Sequence, residues 1–327
     1  MKPEVSDYDR ARKLLDIYRG EVDDFFKLWP PDKLFYFSKD KKAFISYGVR
    51  RNVAICMGDP AGAEHSIKLL LKDFGEFCSE HQLKPAFIQT TDKYRESYTA
   101  AGLRSVLIGA DAVIDLDDFT LNTIHNKYFR NLVNRYHKNH FSFETSLPPH
   151  NKKLLAELKN VSDSWLTLPH RKEWSFLTGR LNTEYLQQVT LYVLRDGKGK
   201  AQAFANEIPS FKPGIVTIDL MRHRSDAPTN SIDILFIQLL QLKNKDGYTA
   251  FNLGLSPLDG KPFVSGLAAK TLIYLYRLSN RFIGFNGLHQ FKAKYKPIWE
   301  PRFVWYQDGR RNLIPIGIAV IKLLNGS

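Results

Sequence analysis

The predicted elements of this chain occur twice in one order, and this repetition restricts the fold more than any other feature of the sequence. Hydrophobic periodicity and turn residues predict, in the first pass, three strands, a helix, a strand, a helix and a strand, at 34–37, 43–49, 52–57, 67–78, 85–89, 92–101 and near 106. The same order follows at 189–195, 201–207, 214–220, 232–240, 249–253, 266–278 and around 303–306. Further helices are predicted at 8–18 and 152–158. The two passes indicate a duplicated mixed α/β fold.

This element order resembles the acyltransferase fold of the GNAT superfamily of N-acetyltransferases. The resemblance implies two such units in tandem, with α+β mixed sheets. We therefore predict an N-terminal half at 1–119, a basic linker at 120–145, and a C-terminal half at 146–327 that carries the catalytic site.

The linker contains a basic stretch with no acidic residue. Residues 125–140 contain four Lys or Arg, three His and no acidic residue. Its cations are Lys127, Arg130, Arg135 and Lys138. Apolar residues share one face of the predicted helix, namely Tyr128, Leu132, Val133 and Tyr136. Such a helix is either ordinary solvated surface or a contact surface for tRNA or anionic head groups, and the net charge of +13 favours a polyanionic partner.

Other features limit the location of the protein. The two cysteines, Cys56 and Cys78, lie in apolar settings that favour buried free thiols and a reducing compartment. The N-terminus has no apolar region typical of a secretory signal. The most apolar stretch, 313–324, is shorter than a membrane span and contains Pro315 and Lys322. It is predicted to be a terminal strand or core segment. The alternative is an interfacial foot, meaning a segment that lies on the membrane surface, so membrane contact is expected to be peripheral.

Several catalytic signatures are missing from the sequence. It contains no Walker A loop, no Rossmann glycine fingerprint, no nucleophile elbow and no paired CxxC. The pyrophosphate-binding turn of acetyl-CoA enzymes is also missing, so acetyl-CoA is not the expected donor. His137 and His140 lack a nearby carboxylate or thiol and lie beside cations, so we predict neither a metal nor another cofactor.

The block at 217–233 is the strongest candidate site. A strand there brings Asp219, Arg222 and Arg224 to its C-terminal end, directly before a helix whose free N–H groups favour an anion. The alternative is a structural Asp–Arg pair that locks a turn.

The block at 284–303 is the second candidate. Lys292, Lys294 and Lys296 alternate, so an extended run would place them on one side, with Phe291 and Tyr295 opposite. This row suits a phosphate, although the outer face of an edge strand would show the same pattern.

With these blocks, the chain resembles the soluble catalytic domain of the bacterial aminoacyl-phosphatidylglycerol synthases, the multiple peptide resistance factor family of lysyl- and alanyl-transferases. The similarity covers nearly the whole chain. Its motifs lie at 44–47, 58–60, 108–112, 161–165, 219–222, 252–258 and 292–302.

The resemblance implies transfer of an amino acid, most commonly lysine, from aminoacyl-tRNA to phosphatidylglycerol. The resemblance also implies that this transfer takes place on the cytoplasmic face of the membrane. It lowers the negative charge of the membrane and so would give resistance to cationic peptides. Members of the family often carry an N-terminal membrane domain, which would be separate from this chain or removed from it.

The candidate residues receive roles in this chemistry. Asp219 would orient the α-ammonium of the donor or the acceptor hydroxyl, and Arg222 would hold the lipid phosphate or the oxyanion. Lys292 and Lys294 would contact the lipid phosphate or the tRNA acceptor end. Arg302 and Arg224 would support them.

Three alternatives stay open at this level. The first is the same transfer to another lipid or a peptide acceptor. The second is a non-catalytic module that binds tRNA or anionic membrane, although Asp219 would bring nothing to a polyanion binder. The third is an acetyl-CoA-dependent acetyltransferase.

Overall fold

The structure is a computed structural model that describes residues 5–169, 171–173, 176, 179–257, 287–307 and 313–324. The helix predicted at 266–278 lies outside the described residues. The described strands are β1 Leu34–Phe37, β2 Ala43–Arg50, β3 Val53–Met57, β4 Ala61–Gly62, β5 Lys84–Thr90, β6 Leu103–Asp115, β7 Ser142–Ser146, β8 Thr190–Arg195, β9 Ala201–Glu207, β10 Ile215–His223, β11 Ala250–Pro257 and β12 Ile298–Gln307.

The helices lie before, between and after these strands. They are α1 Val5–Tyr18, α2 Glu64–Glu80, α3 Arg95–Ala100, α4 Leu116–Leu121, α5 Lys127–Lys138, α6 Lys152–Leu166, α7 Thr183–Leu186, α8 Ser231–Lys245, α9 Leu288–Ala293 and α10 Leu313–Leu324, with short 3-10 helices at Asp24–Lys27 and Thr123–His125. The predicted mixed α/β class and its tandem acetyltransferase-like order are confirmed.

One continuous sheet joins the two halves. Its order is β1-β2-β3-β5-β12-β6-β11-β10-β9-β8-β7, with β4 paired to β2. The last strand, β12, lies between β5 and β6 and pairs with both in antiparallel fashion. The second half therefore contributes a strand to the middle of the first. Strand β7, which falls at the predicted linker, pairs with β8 and so belongs structurally to the second half.

In the described part of each half there is one parallel strand pair, and the two pairs differ in length. The pair β3–β5 stays in register over 53–57 against 84–88. The pair β10–β11 is in register only over 215–217 against 250–252. Beyond that point β10 follows β9 as far as His223, and β11 follows β6 as far as Pro257, so the two strands diverge. This divergence positions the candidate site.

Helix α8 packs against the diverging strands. Its buried residues occupy most of its circumference, which is expected for a helix covered on several sides. The apolar ones are Ile234, Leu235, Phe236, Ile237, Leu239 and Leu240, and the polar ones are Ser231, Asp233 and Lys243. Both predicted free cysteines are buried in one core cluster, Cys56 on β3 and Cys78 on α2.

The C-terminal segment 313–324 is a core element, as predicted, but it is a helix and the predicted strand is wrong. Leu313, Ile316, Ala319 and Leu323 recur at helical spacing and are buried against Val53 and neighbouring core residues. The interfacial foot is therefore wrong as well, because the apolar face lies inside the protein. Among the described helices, none combines the length and apolarity needed to cross a bilayer.

The extended run predicted at 291–296 is wrong. Residues 288–293 form α9, which begins at Gly287 in a left-handed conformation with φ 88°. Phe291 and Tyr295 lie one helical turn apart, and both pack on Phe236. Their burial favours the helical spacing over the lysine alternation.

Candidate active site

A cavity of about 690 Å³ opens where β10 and β11 diverge. It is lined by the end of β10, the loop into α8, the first turn of α8 and the start of α9. Trp165, Arg171, Lys172 and Gly179 line it from the segment around α6. The block predicted at 217–233 therefore forms one side of a real concave site, as a ligand pocket requires.

Asp219 lies in this cavity wall with its carboxylate held at one oxygen. Oδ2 accepts hydrogen bonds from the Tyr185 hydroxyl at 2.5 Å and from the Gly179 backbone N–H at 2.9 Å. Burial raises the pKa of Asp219 to about 6, and the bonds from Tyr185 and Gly179 and the charge of Arg222 partly oppose that rise. The pKa of this carboxylate is therefore closer to neutral pH than that of an ordinary aspartate.

A hydrogen-bond chain behind Asp219 fixes its position. Asn206 donates from its side chain to the Tyr185 hydroxyl at 3.0 Å, and its Oδ1 accepts from the Leu220 backbone N–H at 3.0 Å. Tyr185 also stacks on Trp29, with ring centroids 5.8 Å apart. Neither Tyr185 nor Asn206 was predicted from the sequence. The only local signal for Tyr185 was Asn182, which caps the short helix that carries it.

Arg222 is buried beside Asp219 and fully engaged on one face. Its guanidinium forms a bidentate pair with Glu173, at 2.5 and 2.8 Å, and also donates to the Ser162 hydroxyl. It lies over the Trp165 ring, 4.8 Å from the centroid, while Arg171 lies 5.3 Å from the same ring. Two guanidinium groups therefore flank one indole at the cavity wall. Glu173 was also missed from the sequence.

A second carboxylate, Asp233, lies in the first turn of α8 and lines the same cavity. It accepts from Lys294 Nζ at 2.5 Å, from the Tyr295 hydroxyl at 2.8 Å and from the Tyr128 hydroxyl at 2.9 Å. This cluster, the Asp233 cluster, joins α5, α8 and the turn after α9. A carboxylate in the first helical turn is also stabilised by the helix dipole.

The other predicted cations lie elsewhere. Lys292 is buried and donates to the Gly254 and Leu255 carbonyls, both at 2.8 Å. Burial lowers the pKa of Lys292 to about 8. Arg302 is buried in a pair with Asp111 at 2.8 Å. Both therefore hold backbone and side chains where β11, β6 and β12 meet, outside the lining of the 690 Å³ cavity among the described residues.

Arg224 follows the end of β10 and pairs with Asp226 at 2.8 Å, on the rim rather than in the cavity. The structure thus brings together Asp219, Arg222 and, through Asp233, Lys294. It does not bring Lys292, Arg302 or Arg224 to the same cavity.

The predicted basic helix is confirmed as α5, with Asn126 capping the Phe129 N–H. Lys127, Arg130 and Lys138 are exposed. Arg135 is half-buried and donates to the Thr229 carbonyl at 2.9 Å, and Thr229 lines the cavity. The helix therefore has a solvated cationic side and a side that contacts the cavity wall.

The comparisons with known proteins agree with one another. The family model described as "Phosphatidylglycerol lysyltransferase, C-terminal" matches residues 12–306. Phosphatidylglycerol lysyltransferase of Bacillus subtilis (strain 168) is 32% identical over 281 residues, which are 85% of this chain and 33% of that protein. The chain thus spans about a third of the length of the curated relatives that it matches.

Two solved structures share the fold over nearly the whole chain. L-PGS from Bacillus licheniformis is 31% identical, with 98% of this chain and 97% of that chain covered and a TM-score of 0.85. The C-terminal domain of a putative lysylphosphatidylglycerol synthetase from Agrobacterium fabrum is 31% identical, with 98% of each chain covered and a TM-score of 0.84.

Proposed function

This chain belongs to the family of phosphatidylglycerol lysyltransferase C-terminal domains, and on that premise we propose that it transfers a lysyl group from aminoacyl-tRNA to a head-group hydroxyl of phosphatidylglycerol. The observation that carries the proposal is the 690 Å³ cavity with Asp219 and Arg222 in its wall. Alanyl transfer is the next candidate for the same site.

The reaction needs little covalent help from the protein. The aminoacyl ester on the tRNA 3′ end is already activated, so the lipid hydroxyl can attack its carbonyl directly. The new ester bond forms to the lipid oxygen, the bond to the tRNA oxygen breaks, and the proton of the lipid hydroxyl ends on the tRNA hydroxyl. Positioning, a proton acceptor and stabilisation of the oxyanion are sufficient.

Asp219 is the proposed proton acceptor. Its pKa of about 6 leaves it mostly ionised at neutral pH, yet closer to the working pH than an ordinary aspartate. The hydrogen bonds from Tyr185 and Gly179 both fall on Oδ2, so we assign Oδ1 to the acceptor hydroxyl. The Tyr185 and Gly179 donors would hold the carboxylate in one orientation during the reaction.

Arg222 is the proposed electrostatic group. The bidentate pair with Glu173 fixes the guanidinium plane, the group lies over the Trp165 ring, and Arg222 is among the residues that line the cavity. From there it would stabilise the oxyanion or the lipid phosphate. We propose that Lys292 and Arg302 act indirectly, by holding the strands around the site.

The remaining features of the proposal concern docking. The cationic side of α5 would contact tRNA or anionic head groups, where each cation contributes on the order of 1 kcal/mol. We propose peripheral contact with the cytoplasmic face of a membrane, with a membrane domain elsewhere in the whole protein. Lysyl transfer would change the lipid head group from one negative to one positive charge and so reduce attraction of cationic peptides.

The test supplies the protein with lysyl- and alanyl-tRNA, each labelled in the amino acid, and with liposomes of defined composition. We expect label in the lipid extract only when phosphatidylglycerol is present. Liposomes of phosphatidic acid are the matched control, because they are anionic but lack the glycerol hydroxyl. Label transfer to neither lipid, with tRNA binding intact, would contradict the proposed acceptor.

A further inference from the structure

The Asp233 cluster has the composition of an ammonium-binding site. Lys294 Nζ lies 4.5 Å from the Phe291 ring centroid, 5.2 Å from that of Tyr128 and 6.0 Å from that of Tyr295. The Asp233 carboxylate completes the arrangement at 2.5 Å. Aromatic rings around a cation are a recurrent way to bind an alkylammonium group, and the carboxylate here adds an opposite charge.

The Asp233 cluster, called the Asp233 cage from here on, opens onto the cavity that also contains Asp219. Asp233 and Phe291 both line that cavity, and Asp233 itself is only 4% exposed. The Lys294 side chain is 29% exposed, in contrast. The cation in the cage is thus the exposed member of the pair, held on a flexible four-carbon stem, whereas the carboxylate is fixed by two tyrosine hydroxyls.

We propose that the Asp233 cage is the subsite for the ε-ammonium of the lysyl donor, and that Lys294 competes with the donor for it. The inference rests on the proposed function, since it names the part of the same cavity that recognises the donor side chain. One buried carboxylate neutralises one ammonium, so the two cations exclude each other. Lys294 leaves the cage for solvent when the donor side chain enters.

The competition sets both affinity and selectivity. Lys294 satisfies Asp233 when an uncharged side chain occupies the cavity, so such a side chain meets no unpaired buried carboxylate. A lysyl side chain must displace Lys294, which reduces its advantage. Removal of the internal competitor is therefore expected to increase selectivity for a cationic side chain, and removal of the carboxylate to abolish it.

The test measures binding of two small ester probes by titration calorimetry, without tRNA or lipid. L-lysine methyl ester carries the ε-ammonium, and L-norleucine methyl ester has the same chain length without it. The proteins are the native chain, Lys294→Met and the double variant Lys294→Met/Asp233→Asn. Lys294→Gln, which keeps a hydrogen-bond donor for Asp233, replaces Lys294→Met if the latter does not fold.

We expect the ratio of norleucine-ester to lysine-ester Kd to rise about tenfold from the native chain to Lys294→Met, and to fall to about one in the double variant. Equal ratios in all three proteins would overturn the proposal, as would a raised ratio that persists without Asp233. Because the probes need no acyl transfer, these outcomes are independent of the transfer assay, which alone decides the proposed function.

Discussion

The two halves of the molecule share one element order, but among the described residues the large cavity at the end of a parallel strand pair belongs to the second half. In the first half, β3 and β5 stay paired to the end of β3, and the Gly58 N–H continues the pairing to the Ile88 carbonyl. In the second, β10 and β11 separate after three residues. The cavity beside the β3–α2 turn measures about 50 Å³, against 690 Å³ at β10.

The two halves differ in cavity volume more clearly than in the residues at the ends of their parallel strands. Asp59 in the first half is buried like Asp219 and likewise accepts from a tyrosine hydroxyl, that of Tyr98 at 2.9 Å, and from a backbone N–H, that of Thr91 at 2.8 Å. Burial raises the pKa of Asp59 as well. The comparison teaches that a buried, tyrosine-bonded aspartate becomes a candidate base only where the neighbouring strands leave room for a substrate.

The same substitution at both aspartates should have different effects in the two halves. We expect Asp219→Asn to lower kcat for transfer by about 10²- to 10⁴-fold, because a proton acceptor is lost from the cavity. Asp59→Asn is expected to leave kcat per folded molecule within about twofold. It should instead lower stability by about 1–3 kcal/mol, because its amide NH₂ would face buried donors.

Radiolabel transfer at saturating tRNA and lipid gives kcat, and urea unfolding gives the free energy. Similar losses of kcat in both variants would contradict a catalytic role confined to the half with the larger cavity.

The two buried arginines provide the second comparison. Arg302→Met is expected to lower the free energy of unfolding by about 3–5 kcal/mol, because it leaves Asp111, only 5% exposed, without its cation. Arg222→Met should cost about 1 kcal/mol, since the Glu173 side chain is 30% exposed and water can solvate it. Transfer activity should follow the opposite order, with Arg222→Met losing more per folded molecule. Equal stability losses would contradict this contrast.

Much of the second half could be predicted from the sequence because its signals are local. Asp219 and Arg222 lie three residues apart on a strand that a turn and a helix follow directly, and that arrangement predicts a site at the strand end. Tyr185 and Glu173 could not be found in this way. They lie 34 and 49 residues from their partners, and only the packing of the chain between them brings the groups together.

The wrong predictions arise from patterns that fit two structures. Alternate lysines at 292, 294 and 296 suit a strand, but Phe291 and Tyr295 at a spacing of four suit a helix, and their burial decides between the two. The insertion of β12 between β5 and β6 had no local signal, because it depends on pairing with residues about 200 positions away, as in Phe303 with Thr90.

Substitutions on the linker helix α5 test whether tRNA or liposomes dock at this helix or on the cationic surface in general. We expect Arg130→Gln combined with Lys138→Gln, both on the exposed side of α5, to raise the apparent KM for tRNA or liposomes by up to about 30-fold at low salt, at on the order of 1 kcal/mol for each cation. The salt dependence of KM should become shallower. Lys68→Gln with Lys72→Gln on α2 is the matched control, since both lysines are exposed and belong to the first half. An equal rise in KM for that control would indicate a general charge effect.

The pH dependence of transfer provides the finest comparison, because each half contains an aspartate whose pKa is raised to about 6 by burial, Asp23 in the first and Asp219 in the second. If ionised Asp219 is the proton acceptor, kcat should be constant above pH 6 and fall about tenfold per unit below it. Stability should change in the opposite direction: the folded state holds the proton more tightly than the unfolded state, so these two groups reduce stability as pH rises from about 4 to 6. In Asp23→Asn, kcat should still fall below pH 6. The residual kcat of Asp219→Asn should not show this acid limb. Loss of the limb in Asp23→Asn alone would move the titrating group of the reaction to the first half, against the difference in cavity volume.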